Sequence, residues 1–166
     1  MSAPVVIFAV GNPSRGDDAL GPLLAERFAA ALGHLGREAQ FDLVEDFQLQ
    51  VEHALDLQGR ALALFIDAGT GTPAPYDFRP IEPAAGYGHT THALAPEAVL
   101  QVYRQTEGAE PPPAFLLCVR GESFELGEGL SPPAACHLEA ALGLLEELAR
   151  RPSAEDWGRL SGKAQR

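Results

Sequence analysis

Short apolar runs that alternate with stretches of helical spacing constrain this chain most. Pro4–Val10 is a continuous apolar run with β-branched residues, which suits a strand buried on both faces. Leu20, Leu23, Leu24, Phe28, Ala31 and Leu32 then recur at the spacing of one helix face. Pro22 is acceptable in the first turn of that helix, and Gly33 supplies its stop. Phe41–Glu45 reads as a second strand and Gln48–Leu57 as a helix stopped by Gly59. Ala61–Ile66 is a third apolar strand, ending at Asp67. A long Gly-, Pro- and Thr-rich stretch follows from Gly69 to His92, with a short edge strand at Tyr76–Ile81 inside it. The pattern then resumes with a helix over Pro96–Gln105 and a strand over Phe115–Arg120. A last helix starts at Ser131-Pro132-Pro133 and ends at Pro152. Strands alternating with helices predict an α/β fold, a three-layer αβα sandwich around a mostly parallel central sheet.

The chain can bury the core that such a sheet needs. Its 166 residues are 46% hydrophobic, and a chain of this size hides roughly 70% of its unfolded surface. Residues 1–152 are expected to form a single α/β domain, and 153–166 a polar, partly disordered tail. The formal net charge is −11, with 23 acidic against 12 basic residues and no basic stripe. That balance argues against nucleic acid and anionic membranes as partners. The apolar N-terminal run is too short to span a bilayer and lacks a basic leader, so a cytoplasmic location is expected. Cys118 and Cys136 form no C-x-x-C pair, and Cys118 reads as a small buried hydrophobe.

The first strand runs into "GNPSRGDDALGP", which has the outline of a phosphate loop. Where that motif places Lys and Ser/Thr, however, this chain has Asp17 and Asp18. Ligands of open α/β sheets bind beyond the carboxyl ends of the strands. The residues expected there are Asn12, Arg15, Asp17 and Asp18 after the first strand, and Glu45, Asp46 and Gln48 after the second. Asp67 follows the third strand, and His89 and His92 lie in the long loop.

Each has an ordinary explanation. Asp17 is read as a cap for the helix that follows it. Asp67 can organise the Gly-Thr-Gly turn behind it, and a loop histidine can simply be a surface residue. Together, two carboxylates and an imidazole on three segments fit a divalent metal. The mixed oxygen and nitrogen set suits Zn, Ni, Co, Fe or Mn better than Ca or Mg. Three protein ligands would leave positions open for water or substrate. The glycines allow close approach, while the charge favours a cation over a phosphate.

Four stretches carry a family resemblance. "FAVGNPSRGDDALGP" resembles the N-terminal motif of the hydrogenase maturation proteases, and "LALFIDAGTG" resembles their second motif, an apolar strand ending in Asp. "GHTTHALAPEAVL" resembles the third, a His shortly before a helix. "CVRGESFELGEGLSPP" resembles a further stretch that leads into the last helix. The matches fall in family order over about residues 5–150. The resemblance implies an endopeptidase that removes a C-terminal extension from a [NiFe]-hydrogenase large-subunit precursor after nickel insertion. It implies nickel contacts at Asp18, Asp67 and His92, with nickel supplied by the substrate precursor. Asp18 stands where the family often has Glu, a side chain one methylene longer. "EDFQLQVEHALD" resembles the branch serving soluble, cofactor-reducing hydrogenases. Within it Gln48 and Glu52 are expected to share a helix face and bind substrate. The competing readings are a hydrolase with its own permanent metal, a module that checks nickel without cleaving, and nucleotide binding at the Gly11–Gly16 loop.

Overall fold

The computed structural model describes residues 2–85 and 93–161. Five strands form one sheet: β1 (Val5–Val10), β2 (Phe41–Asp46), β3 (Leu62–Gly69), β4 (Tyr76–Ile81) and β5 (Ala114–Arg120). Their order is β2-β1-β3-β5-β4. All neighbours are parallel except β4, which runs antiparallel to β5 at the edge. Pro80 is tolerated inside β4 because an edge strand has one side free of the ladder. The helices are α1 (Leu20–Leu35), α2 (Pro96–Glu107), α3 (Pro132–Arg150) and α4 (Ala154–Leu160), with a 3₁₀ segment at Val51–Leu57.

Every residue of β1 is buried, as a continuous apolar run requires when both sheet faces are covered. Val5, Ile7 and Ala9 join the core beneath α1 and α3. Val6, Phe8 and Val10 join the core formed with α2 and the 3₁₀ segment. The expected three-layer architecture is therefore present, with helical elements on both faces.

Two boundaries differ from the sequence expectation. Gly33 lies within α1, and the left-handed cap is Gly36, at φ 68°. The expected Gln48–Leu57 helix begins only at Val51 and is 3₁₀. Leu49 is buried and its carbonyl accepts the Leu94 N–H at 3.2 Å, while Gln50 is extended, so the chain turns helical only after both. Gln48 thus lies ahead of the helical segment that carries Glu52, and the two do not share a helix face.

The expected tail is also ordered over much of its length. Ser153 caps α4 by accepting the Asp156 N–H, and Trp157 is fully buried. The Trp157 indole N–H donates to the Leu148 carbonyl at 3.0 Å, and its ring meets Phe78 and Phe115 edge-on. One large aromatic with a satisfied polar handle is enough to dock a polar helix. Residues 162–166 lie outside the described residues.

Candidate active site

The strand order places a switch point between β1 and β3: the chain leaves β1 toward β2 on one side and adds β3 and β5 on the other. Such points open a crevice at the carboxyl edge of a parallel sheet. Here β1 and β3 pair as far as Ala9 and Ile66. Beyond that, the chain after β1 turns toward β2, where the Gly11 N–H donates to the Asp46 carbonyl at 3.1 Å. β3 continues with β5 through Asp67, Ala68 and Gly69. Asp67 therefore sits on the first β3 residue past the β1 ladder.

The loop after β1 explains its inverted charge. Gly11 has φ 148°, and a Cβ there would fall 2.0 Å from the Asp18 carbonyl oxygen, so only glycine fits. The Asn12 N–H donates to Asp18 Oδ2 at 2.7 Å, and the Ser14 N–H to Asn12 Oδ1 at 2.9 Å. The Arg15, Gly16, Asp17 and Asp18 N–H groups donate to the carbonyls of Asn12, Glu128, Ser123 and Arg15. Pro13 has no N–H. The backbone donors that a phosphate loop would offer an anion are thus already used within the protein. This disfavours the nucleotide reading on geometry as well as on charge.

The adjacent aspartates differ completely. Asp17 is fully buried and points at the loop after β5. Its Oδ2 accepts the Glu122 N–H at 2.6 Å, the Ser123 N–H at 3.0 Å and the Ser131 hydroxyl at 2.7 Å. Its Oδ1 accepts the Ser131 N–H at 2.7 Å. Burial opposes ionisation, but these hydrogen bonds outweigh it and hold the carboxyl below its ordinary range. Asp17 is thus no cap for α1, which corrects the sequence expectation. It clasps the start of α3, whose own cap is Ser131. The short antiparallel bridge between Arg15 and Leu126 runs beside this clasp.

Asp18 is half-buried, and Asp67 is half-buried at the carboxyl edge of the sheet. Among the described residues, Asp67 Oδ1 accepts only the Ala68 N–H, at 2.8 Å. Burial pushes its carboxyl up to about 7, the Ala68 hydrogen bond opposes this, and the Asp18 charge adds to it. The charge of Asp18 reaches Asp67, so the two carboxylates lie within electrostatic range of each other. Among the described residues, the second oxygen of each accepts no hydrogen bond, so both have capacity to ligate a cation. The donor set fits a divalent metal: a cation would offset the burial cost that chiefly raises Asp67 and the smaller repulsion from Asp18.

His92 and His89 lie outside the described residues, and so does any contact they make with this pair. Among the described residues no group of three His, Cys, Asp or Glu side chains is arranged to hold a metal ion. Cys118 pairs in register with Asp67, and its Sγ lies 3.3 Å from Thr72 Oγ1. Burial pushes its thiol up, so it is no activated nucleophile. Gln48 is half-buried and Glu52 exposed, both after the β2 exit. Sequence reasoning missed the Asp17 clasp, because its partners lie more than a hundred positions downstream.

No family model matches the chain, and no curated protein matches it. Solved structures do share its fold. The [NiFe] hydrogenase maturation protease HycI from Thermococcus kodakarensis KOD1 is 24% identical, with a TM-score of 0.63 over 90% of this chain and 94% of that one. The hydrogenase maturating endopeptidase HybD from E. coli is 24% identical, with a TM-score of 0.72 over 89% of this chain and 93% of that one. An endopeptidase from Escherichia coli, 23% identical, superposes with a TM-score of 0.65 over 89% of this chain and 92% of that one. At these identities the likeness establishes the fold.

Proposed function

We propose that this chain is a hydrogenase maturation protease that removes the C-terminal extension of a nickel-loaded [NiFe]-hydrogenase large-subunit precursor. The observation that carries the reading is a half-buried Asp67 at the switch point of the sheet that feels the charge of Asp18 and, among the described residues, accepts a hydrogen bond only from Ala68. It stands on a fold shared with hydrogenase maturation proteases and on the sequence motifs that resemble theirs.

On this reading nickel arrives as part of the substrate. Asp18 and Asp67, with His92, would complete its coordination, and the ion would polarise the neighbouring peptide carbonyl or a water. The protein contributes position and charge. Asn12 fixes one oxygen of Asp18 through its backbone N–H, and Ala68 fixes one oxygen of Asp67. Before nickel arrives, burial holds the Asp67 carboxyl up at about 7, so it can give up its proton as the cation is coordinated. Gln48 and Glu52, at the β2 exit, would contact the precursor. Among the described residues no helix is long and apolar enough to cross a membrane, and a cytoplasmic site of action is part of the proposal.

The test is to incubate the protein with precursor prepared with and without nickel, and to weigh the products by mass spectrometry. Loss of a C-terminal fragment from nickel-loaded precursor alone is the expected result. Stoichiometric binding with no mass change would favour a non-cleaving metal-checking module. Equal cleavage of nickel-free precursor, with metal retained on the purified enzyme, would favour a hydrolase with its own ion.

A further inference from the structure

The segment that follows β2 exposes apolar surface that its own fold does not require. Among the described residues the exposed large hydrophobics are Phe47, Val51, Leu55 and Leu126, at 64%, 55%, 66% and 66%. Three of the four fall within nine positions of sequence. Isolated exposed hydrophobics need no explanation, but three within nine positions directly after β2 do.

The cluster sits on a fixed platform. His53 and Gln50 cap the 3₁₀ segment reciprocally, and the Gln50 N–H donates to His53 Nδ1 at 2.8 Å. The His53 ring is buried edge-on against Phe8, 5.9 Å between centroids, and its Nε2 lies 3.4 Å from Asp46 Oδ2. Leu49, Ala54 and Leu57 fill the core beneath. The inward residues thus hold the segment, and Phe47, Val51 and Leu55 are left on the outside.

Position and charge define what would cover them. Asp46 pairs in register with Val10, and its carbonyl accepts the Gly11 N–H, so the strip begins at the sheet edge that carries Asp18. The exposed charged residues along it, Glu45, Asp46 and Glu52, are all acidic, and no Lys or Arg occurs between Glu45 and Gly59. A second copy docked on the same strip would set these acids against their equals, in a chain of net charge −11. An anionic membrane would meet the same repulsion.

We propose that Phe47, Val51 and Leu55 form a docking strip for an apolar, basic segment of the polypeptide substrate, outside the residues that are cut. The proposal rests on the protease reading above and adds the surface by which the substrate is held. Apolar anchors supply affinity, and the acidic rim supplies orientation and salt sensitivity.

The experiment compares wild-type protein with Phe47→Ser/Leu55→Ser, using purified nickel-loaded large-subunit precursor as probe. Both side chains are exposed, so the thermal midpoint should stay at the wild-type value. The expected result is a KM and a Kd for precursor raised about tenfold or more, with kcat within about twofold of wild type. Wild-type binding should also weaken several-fold between roughly 0.05 and 0.3 M salt. Unchanged KM and Kd in the double variant would overturn the strip. Salt-independent binding would overturn its basic partner. A wild-type dimer that the double variant dissolves would assign the strip to self-association instead. Strip-dependent binding with no cleavage would overturn the protease reading and leave the strip standing. Wild-type protein that neither binds nor cleaves would overturn both.

Discussion

Asp17 and Asp67 are both carboxylates removed from bulk water, and the protein treats them in opposite ways. Asp17 receives four hydrogen bonds from the loop after β5 and is held ionised. Among the described residues Asp67 receives one, from its own neighbour, and it faces the charge of Asp18. Burial alone therefore does not distinguish a structural acid from a reactive one. The supply of donors does. An acid that the fold satisfies is a clasp, whereas one left under-satisfied at a crevice is available to a cation or a proton.

The sharpest break of that contrast is in activity. Asp18→Asn, Asp67→Asn and His92→Ala should each reduce precursor processing by more than about 100-fold, beyond the loss typical of a supporting group. Circular dichroism should show each fold intact. Processing that survives in His92→Ala would remove the histidine from the mechanism.

The next effect is in stability. Asp17→Asn should cost roughly 3 kcal/mol, because an amide cannot accept from all four donors and leaves some of them buried and unpaired. For a domain of this size that is about 6–12 °C in Tm. The Asp17 carboxyl is held below its ordinary 3.8. Its contribution is therefore fully present above that value and is lost as pH falls through the folded value. The cost of Asp17→Asn, measured by denaturant unfolding, should shrink in strong acid. A cost below about 1 kcal/mol at neutral pH would mean that the clasp is not what holds the loop.

Asp67 should show the reverse sign and a smaller effect. Its carboxyl is raised from 3.8 to about 7, so the favourable protonated contribution is complete below 3.8 and is lost as pH rises through about 7. In metal-free protein Asp67→Asn should therefore be neutral below pH 3.8 and increasingly stabilising up to about pH 7, by less than the roughly 4 kcal/mol of the full shift because the half-buried carboxylate stays partly solvated. Denaturant unfolding at pH 5 and pH 8 checks the sign. Asp18→Asn should move the Asp67 titration, followed by carboxyl NMR, downward.

The smallest effect concerns Gln48 and Glu52. Replacing both with Ala should raise KM for precursor by about three- to tenfold and leave kcat unchanged. Because Gln48 precedes the 3₁₀ segment, the two need not act on one partner residue, and the single variants should be close to additive.

The fold was legible because its central strands are apolar on both faces. Continuous runs such as Val5–Val10 and Leu62–Ile66 have few alternatives in a chain punctuated by helix-spaced leucines. Asp18 and Asp67 were legible as residues that leave adjacent strands at one sheet edge. Asp17 was not, because its role is fixed by Glu122, Ser123 and Ser131, which no local pattern links to it. Docking of α4 rests on one tryptophan in an otherwise polar stretch, too little for periodicity to register. The Val51–Leu57 segment has helical spacing in sequence, but Leu49 is tied to Leu94 and Gln50 is extended, and a late start leaves only a short 3₁₀ piece.

The division between the two neighbouring acids is tested most directly by one side-by-side assay. Wild-type, Asp17→Asn and Asp18→Asn proteins are incubated with the same nickel-loaded precursor below the melting range of the least stable variant, and the products are weighed intact. The expected result is full removal of the C-terminal fragment by wild type, substantial removal by Asp17→Asn, and essentially none by Asp18→Asn at an unchanged Tm. Processing by Asp18→Asn at the wild-type rate would contradict it.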